Sequence, residues 1–264
     1  MVFIRREGLC AVYDNERLDE VNDRLRLIQK TDGITFGTDA LLLAGYIGGG
    51  YTDALELGVG SGILSLLLLT REKVRKVCAL DVQEDYVSLA KRNAALNGLS
   101  DRMSVHLCDV RDFVPEAGKT YDLVFTNPPY MRRGAGYENP TERKNIARRE
   151  VHGTIDDFLR AAGRALSYGG TFAAVYRPDR LVSLFTAMRS AGIEPKRLTF
   201  VHADADASPS LVLVEGRRGG GEGLTVTSPL FLFADKAHTT DSPEMKEIDR
   251  TGNFPAKYDQ RNKG

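Results

Sequence analysis

The stretch Thr52–Thr70, "TDALELGVGSGILSLLLLT", decides how the rest of the chain is read. It opens as an apolar run of strand length, passes through Gly58, Gly60 and Gly62 at every second position, and continues as an apolar helix-like run. Glycine has no Cβ to keep a ligand off the backbone, and it tolerates the positive φ of a tight turn. The residue three after Gly60 is Ile63, so the G-x-G-x-x-G fingerprint of dinucleotide binders is broken. The closer spacing suits a nucleoside without a pyrophosphate, although plain packing of helix on strand would use the same glycines.

Reading outward, "KVCALD" (76–81) is strand-like, "EDYVSLAKRNAALNG" (84–98) helix-like, and "MSVHLCD" (103–109) and "YDLVFTN" (121–127) strand-like again. This βαβα alternation predicts an α/β fold with a parallel sheet covered by helices. After an irregular basic stretch come a helix "TIDDFLRAAGRALS" (154–167), a strand "TFAAVYR" (171–177) and a helix "DRLVSLFTAMRSAG" (179–192). The runs "PKRLTFVHA" (195–203) and "SPSLVLVEGRR" (208–218) predict an antiparallel edge hairpin. Before the Gly turn, "LCAVY" (9–13) and "RLRLIQK" (24–30) read as short strands and "GTDALLLAGY" (37–46) as a helix. Three segments are expected: 1–50 as an N-terminal extension packing on the core, 51–216 as the core, and 217–264 as a C-terminal extension that opens with the Gly-rich run "GRRGGGEG" (216–223).

Bulk properties narrow the function classes. Basic and acidic residues balance at 36 each over 264 residues, so a nucleic-acid partner has to be met by a local patch. Three cysteines without a C-x-x-C spacing and four scattered histidines support neither a disulfide framework nor a metal site. "ILSLLLLT" is too short to span a bilayer and "MVFIRREGLC" has no long apolar core, so a cytoplasmic protein without a membrane anchor is expected.

In open α/β sheets, ligands bind beyond the carboxyl ends of the strands. Asp81 ends the strand after the Gly turn, where it can accept both hydroxyls of a ribose; capping the next helix is the alternative. Asp109 ends the following strand and can accept from an adenine amino group, or merely cap "VRDFV". Thr38 or Asp39 is placed to cap the helix at 37–46, or to lie near a ligand.

The next strand ends in "NPPYMRR" (127–133), with Asn127, Pro128, Pro129 and Tyr130 on that same rim. Two prolines make a stiff, non-helical exit that holds carbonyls outward. The Asn127 amide oxygen and the Pro128 carbonyl can accept the two N–H bonds of an exocyclic amine, and Tyr130 offers a face for a planar group. An aryl amine is a poor nucleophile because its lone pair is delocalised. Two acceptors favour a more tetrahedral nitrogen and aim that lone pair, which is catalysis by orientation and electrostatics without a strong base.

A nucleoside turn and an amine-accepting turn on one rim resemble the class I methyltransferases that use S-adenosylmethionine on planar amino groups. "RLRLIQKTDGITFGTDALLLAGY" (24–46), "NPPYMRR" and "NIARREVHGTIDDFL" (145–159) are together similar to the bacterial tRNA adenine-N6 methyltransferase family, which modifies the adenine just 3′ of the anticodon in a valine tRNA. The likeness runs to about Val214, and "LTVTSPLFLFADKAHTTDSPEMKEID" (224–249) shares it with less diagnostic content. It implies a Rossmann-like, mostly parallel seven-stranded sheet, S-adenosylmethionine as cofactor and tRNA as partner, with a monomer favoured. The segment from Phe36 through Thr38 to Asp39 is then expected to help close the cofactor pocket, with Glu56, Val82, Val110 and Asn127 also facing the cofactor. Glu56 stands where many relatives have Asp, which keeps the carboxylate.

Between Met131 and Arg149 lie Arg132, Arg133, Arg143, Lys144, Arg148 and Arg149 against Glu138 and Glu142. A solvated face would carry such a run, but it directly follows the amine-accepting turn, where phosphates flanking an extruded base would pass. The same tetrad serves methylation of a glutamine side chain in a protein, as in release-factor methyltransferases, and of guanine N2 in rRNA. The glutamine branch usually brings a larger N-terminal helical domain than the fifty residues preceding this core. An RNA-binding module with an idle fold is disfavoured by the complete set of glycines, acids and tetrad.

Overall fold

The computed structural model describes residues 11–31, 37–128 and 153–258. The sheet is built from β3 (Tyr51–Leu57), β4 (Val74–Asp81), β5 (Met103–Leu107), β6 (Tyr121–Thr126), β7 (Leu166–Tyr176), β8 (Ile193–His202) and β9 (Pro209–Arg218). Their order is β5-β4-β3-β6-β7-β9-β8, all parallel from β5 to β7, with β9 antiparallel to both β7 and β8. The parallel body and the edge hairpin match the sequence expectation. Strand order reverses between β3 and β6, because the chain winds outward from β3 through β4 to β5 and then returns to the other side. That reversal opens the crevice in which such sheets hold ligands.

Helices α1 (Thr38–Tyr46), α2 (Ile63–Thr70), α3 (Glu84–Leu96), α4 (Ile155–Ala165), α5 (Leu181–Ser190) and α6 (Pro243–Thr251) cover the sheet. Side chains of a strand alternate between faces. Leu55, Leu57 and Val124 therefore enter one core with Phe158 and Leu159 of α4, while Ala54, Leu123 and Phe125 enter the other with α1, α2 and α3. Burial on both faces is why these strands read as near-continuous apolar runs. The same alternation turns Glu56 toward α2.

Both chain-end segments are fastened to this body. A hairpin of β1 (Glu16–Asn22) and β2 (Leu25–Lys30) docks on α3, where Asn93 accepts from Ile28 N–H (2.7 Å) and donates to its carbonyl (2.9 Å), and Asn97 does likewise for Arg26. The charged "ERLDEVN" of β1 replaces "LCAVY" as the first strand: Ala11–Tyr13 are irregular, and Leu9 and Cys10 lie outside the described residues. With one side in water, a hairpin strand needs no apolar alternation, which is why the pattern misplaced it. Beyond the expected seven strands, β10 (Thr225–Val226) and β11 (Leu230–Phe231) both add in parallel to β8. Buried Arg197 of β8 donates to the carbonyls of Tyr258 (3.0 Å) and Tyr46 (2.8 Å), pairs with Glu215, and stacks its guanidinium 3.8 Å from the Tyr46 ring centroid. The C-terminal segment is thus packed through α1 against the body. Among the described residues no helix is long and apolar enough to cross a membrane, and no cluster of three metal-ligating side chains occurs.

Candidate active site

The turn after β3 is held by its own backbone. Gly58 and Val59 N–H both donate to the Leu80 carbonyl (2.9 Å each), and Gly62 N–H donates to the Val59 carbonyl (2.9 Å). Gly58, Gly60 and Gly62 all take positive φ, at 78°, 53° and 86°. Space separates their roles. A Cβ on Gly62 would lie 3.2 Å from Met103 Cε and 3.4 Å from Ala90 Cβ, so that glycine serves close packing of α3 and β5. A Cβ on Gly60 would meet nothing within 4 Å: there the backbone alone demands glycine, and bare main chain faces open space.

Asp81, 7% exposed at the end of β4, accepts from Gly60 N–H (3.0 Å) and from Gln83 N–H (2.9 Å). The N-cap of α3 is Gln83, with no side-chain cap bond, so the carboxylate braces the glycine turn rather than capping the helix. Because the Gly60 amide is turned to Asp81, it is not available as a pyrophosphate cradle. This agrees with the reading of a nucleoside without a pyrophosphate.

Glu56 is 2% exposed, and its carboxyl accepts from Ser65 Oγ of α2. Burial pushes its pKa up to about 8; the Ser65 bonds work against that rise, and the charge of Asp81 adds to it. The residues fit a positively charged nucleoside cofactor: an open glycine backbone with the Asp81 and Glu56 carboxyl groups beside it.

Asp109 is held by Arg111, which donates from its backbone N–H (2.9 Å) and its guanidinium. Residues 110–112 form a turn and not a helix, and Asp109 caps that turn through the Arg111 N–H. Val110 is buried in the α4 core and Val82 is 36% exposed.

Across the strand reversal, β6 pairs with β3 up to Phe125 opposite Glu56, and buried Thr126 donates from Oγ1 to the Leu57 carbonyl (2.7 Å). That bond ties the exit of β6 to the residue before Gly58. Asn127 follows directly, and its Nδ2 donates to Asp39 Oδ2 at 3.4 Å. The N-cap of α1 is Gly37 without a side-chain cap bond, so neither Thr38 nor Asp39 plays the capping part. The structure therefore brings Asp39, Glu56, Gly58, Gly60, Asp81, Asn127 and Pro128 to the rim around β3, β4 and β6. Phe36, Pro129 and Tyr130 lie outside the described residues, as do Arg132, Arg133, Arg143, Lys144, Arg148 and Arg149.

Three residues escaped the sequence reading. Ser65 is the lone polar residue inside "ILSLLLL", and Asn93 is a poor helix former in mid-helix; each had a signal. Asn93 also donates to the Ser61 carbonyl (2.8 Å), linking the N-terminal hairpin to the glycine turn. Thr126 carried no signal, since its partner is a backbone carbonyl 69 positions away.

Comparison with known proteins agrees with this geometry. Residues 32–184 match the family model described as Methyltransferase small domain, more than half of the chain. A tRNA1(Val) (adenine(37)-N6)-methyltransferase of Citrobacter koseri is 31% identical over 184 residues, covering 69% of this chain and 70% of the relative. One of the same name from Phocaeicola vulgatus is 28% identical over 193 residues, covering 73% and 78%. Among solved structures, a "predicted O-methyltransferase" from Agrobacterium tumefaciens superposes with a TM-score of 0.64 over 82% of this chain and 98% of its own, at 21% identity, a likeness of fold. With its glycine turn and its amide-bearing strand exit joined at the strand reversal, the chain belongs to the methyltransferase small domain family, and its fold is that of the class I, S-adenosylmethionine-dependent methyltransferases.

Proposed function

We propose that the protein transfers a methyl group from S-adenosylmethionine to the exocyclic N6 of adenine 37 in a valine tRNA, the activity for which its curated relatives are named. The observation that carries the reading is the attachment of Asn127 and Pro128 to the glycine turn through the Thr126–Leu57 bond, which sets an amine-accepting pair beside a nucleoside turn. When bound, the cofactor supplies an electrophilic methyl on a sulfonium. The chain does the rest. The Gly58–Gly62 backbone leaves room for the nucleoside, Asp81 offers carboxylate oxygens toward its ribose, and Asp109 stands at the next strand end on the adenine side. Glu56 adds a carboxyl below the turn.

On the acceptor side, the Asn127 amide oxygen and the Pro128 carbonyl take the two N–H bonds of the target amine. They direct its lone pair along the transfer line, and Tyr130 stacks on the base. The amine proton leaves to water after transfer. Arg132 and Arg133, with the basic residues up to Arg149, meet the phosphates on either side of the extruded base. An anticodon-loop adenine has already lost its pairing, so extruding it costs less than opening a duplex.

The test is to incubate the protein with methyl-labelled S-adenosylmethionine and two acceptor pools, unmodified tRNA and cell protein, and then to digest the products. Label is expected in tRNA as N6-methyladenosine. Label found only as N5-methylglutamine, or as N2-methylguanosine, overturns the acceptor assignment.

A further inference from the structure

We propose that Asp39 is a positioning residue for the methyl acceptor: by holding the Nδ2 of Asn127 it makes the amide oxygen, and not the amino group, the end that meets the target amine. This rests on the reading above, in which Asn127 accepts an N–H of the substrate.

An asparagine amide is ambiguous in a way that matters to this chemistry. One end accepts and the other donates, and the two are nearly equal in size. An Asn127 turned by half a rotation about its last bond would point N–H groups at the N–H groups of an incoming amine. The favourable acceptor then becomes a repulsive donor. The backbone at this point is already fixed, because Thr126 is tied to the Leu57 carbonyl, so the choice falls to whatever faces the side chain. A carboxylate offers only acceptors, and it therefore accommodates only the donor end of the amide. Asp39 Oδ2 lies 3.4 Å from Asn127 Nδ2, and the opposite rotamer would set oxygen against oxygen.

A second, independent feature points the same way. Asp39 lies in the first turn of α1, where its expected work is capping, yet α1 starts from Gly37 with no side-chain cap bond. Gly37 has φ −110° and ψ −178°, extended backbone that any residue adopts, so its conformation does not call for glycine. Its space does. A Cβ on residue 37 would lie 2.5 Å from Asp39 Oδ1, closer than any real contact. Glycine at 37 thus gives the Asp39 carboxylate the room it occupies when turned to Asn127. The two residues are 88 positions apart, and this contact joins α1 to the exit of β6.

The experiment compares parent, Asp39→Ala, Asp39→Asn and Gly37→Ala, each first shown to unfold at the parent's urea midpoint within error. Asp39→Ala is expected to lower the single-turnover rate at saturating S-adenosylmethionine by about ten- to a hundredfold, the scale of losing one charged orienting hydrogen bond. Its dissociation constant for the cofactor, by calorimetry, is expected to change less than its rate does. Asp39→Asn, whose amide can present either an acceptor or a donor to Asn127, is expected to recover only part of the rate. Gly37→Ala displaces the carboxylate without removing it and slows turnover in the same sense. A readout that needs no turnover is the side-chain NH2 pair of Asn127 in 15N-labelled protein, whose proton shifts are expected to move in Asp39→Ala and to return toward the parent in Asp39→Asn.

Unmoved Asn127 resonances in Asp39→Ala overturn the proposal. So does a weakened cofactor affinity in both Asp39 variants with an unchanged rate at saturation, the pattern of a cofactor ligand. If the parent methylates glutamine and not tRNA, the acceptor reading fails, while the Asp39 comparison is run on the glutamine substrate and keeps its meaning. If the parent methylates neither, the resonances alone decide the contact.

Discussion

The two halves of the site are held by different kinds of bond. On the cofactor side the turn is fixed by closely spaced backbone bonds, Gly58 and Val59 to the Leu80 carbonyl and Gly62 to the Val59 carbonyl, with the Asp81 carboxylate holding Gly60 besides. On the acceptor side, besides the pairing of Thr126 with Ala174 in β7, side-chain bonds from distant parts of the chain reach the exit of β6, Thr126 to the Leu57 carbonyl and Asn127 to Asp39. A turn braced by its own main chain keeps its shape when one side chain changes. At the exit of β6 it is side chains that orient the last residues, so substitutions there are expected to be felt in turnover before they are felt in binding.

The largest effect is expected at the acceptor side. Asn127→Ala removes one preorganised acceptor and should slow single turnover by about a hundredfold or more at saturating cofactor. Next in size is Asp81→Ala. Losing charge-assisted bonds should weaken S-adenosylmethionine binding by roughly 1.5 to 3 kcal/mol. Because the same carboxylate braces Gly60 and Gln83, the variant should also unfold at lower urea, which an ordinary ribose ligand at the surface would not do.

Glu56 sharpens the contrast through pH. Its carboxyl is raised by burial from an ordinary value of 4.5 to about 8, so the fold binds this proton more tightly than the unfolded chain does. The contribution to stability is complete below the ordinary value and is lost as pH rises through about 8, at up to about 1.4 kcal/mol per pH unit. Urea unfolding of the cofactor-free protein between pH 5 and pH 8 should therefore show the parent losing stability relative to Glu56→Gln. Parallel curves for the two proteins would mean that Glu56 is ionised in the fold. The smallest effect is expected for Thr126→Val, which keeps the shape and removes one hydrogen bond. Stability should fall by about 1 kcal/mol, and turnover should fall more than cofactor affinity.

The cofactor half was legible in the sequence for the reason that it is local. Glycine spacing, the strand before it and an acid at the next strand end all lie within thirty residues of Gly58, and periodicity alone orders them. The exit of β6 at Asn127 and Pro128 was legible because a proline after an apolar strand ends it whatever surrounds it, while Pro129 and Tyr130 lie outside the described residues. Contacts that join distant segments were not legible. In the sequence Asp39 reads as a helix cap or a residue near the ligand, and only the fold shows its carboxylate against Asn127. The Asp109–Arg111 pair lay within reach of the sequence, since an arginine two residues on is a local partner that a strand-end reading passes over. The charged strand β1 and the two-residue strands β10 and β11 were hidden for a third reason: edge elements with one side in water need no apolar period.

In the proposed function, a cofactor half and an acceptor half, joined by the Thr126–Leu57 bond, meet at the strand reversal between β3 and β6. The most direct test is a double-mutant cycle on Asp81→Ala and Asn127→Ala, reading cofactor dissociation constants by calorimetry and single-turnover rates at saturating cofactor in all four proteins. The prediction is that Asp81→Ala carries the loss of affinity and Asn127→Ala the loss of rate. In the double variant the two losses should add to within about 0.5 kcal/mol. An Asn127→Ala protein that binds cofactor as poorly as Asp81→Ala, or one that turns over at the parent rate, would contradict it.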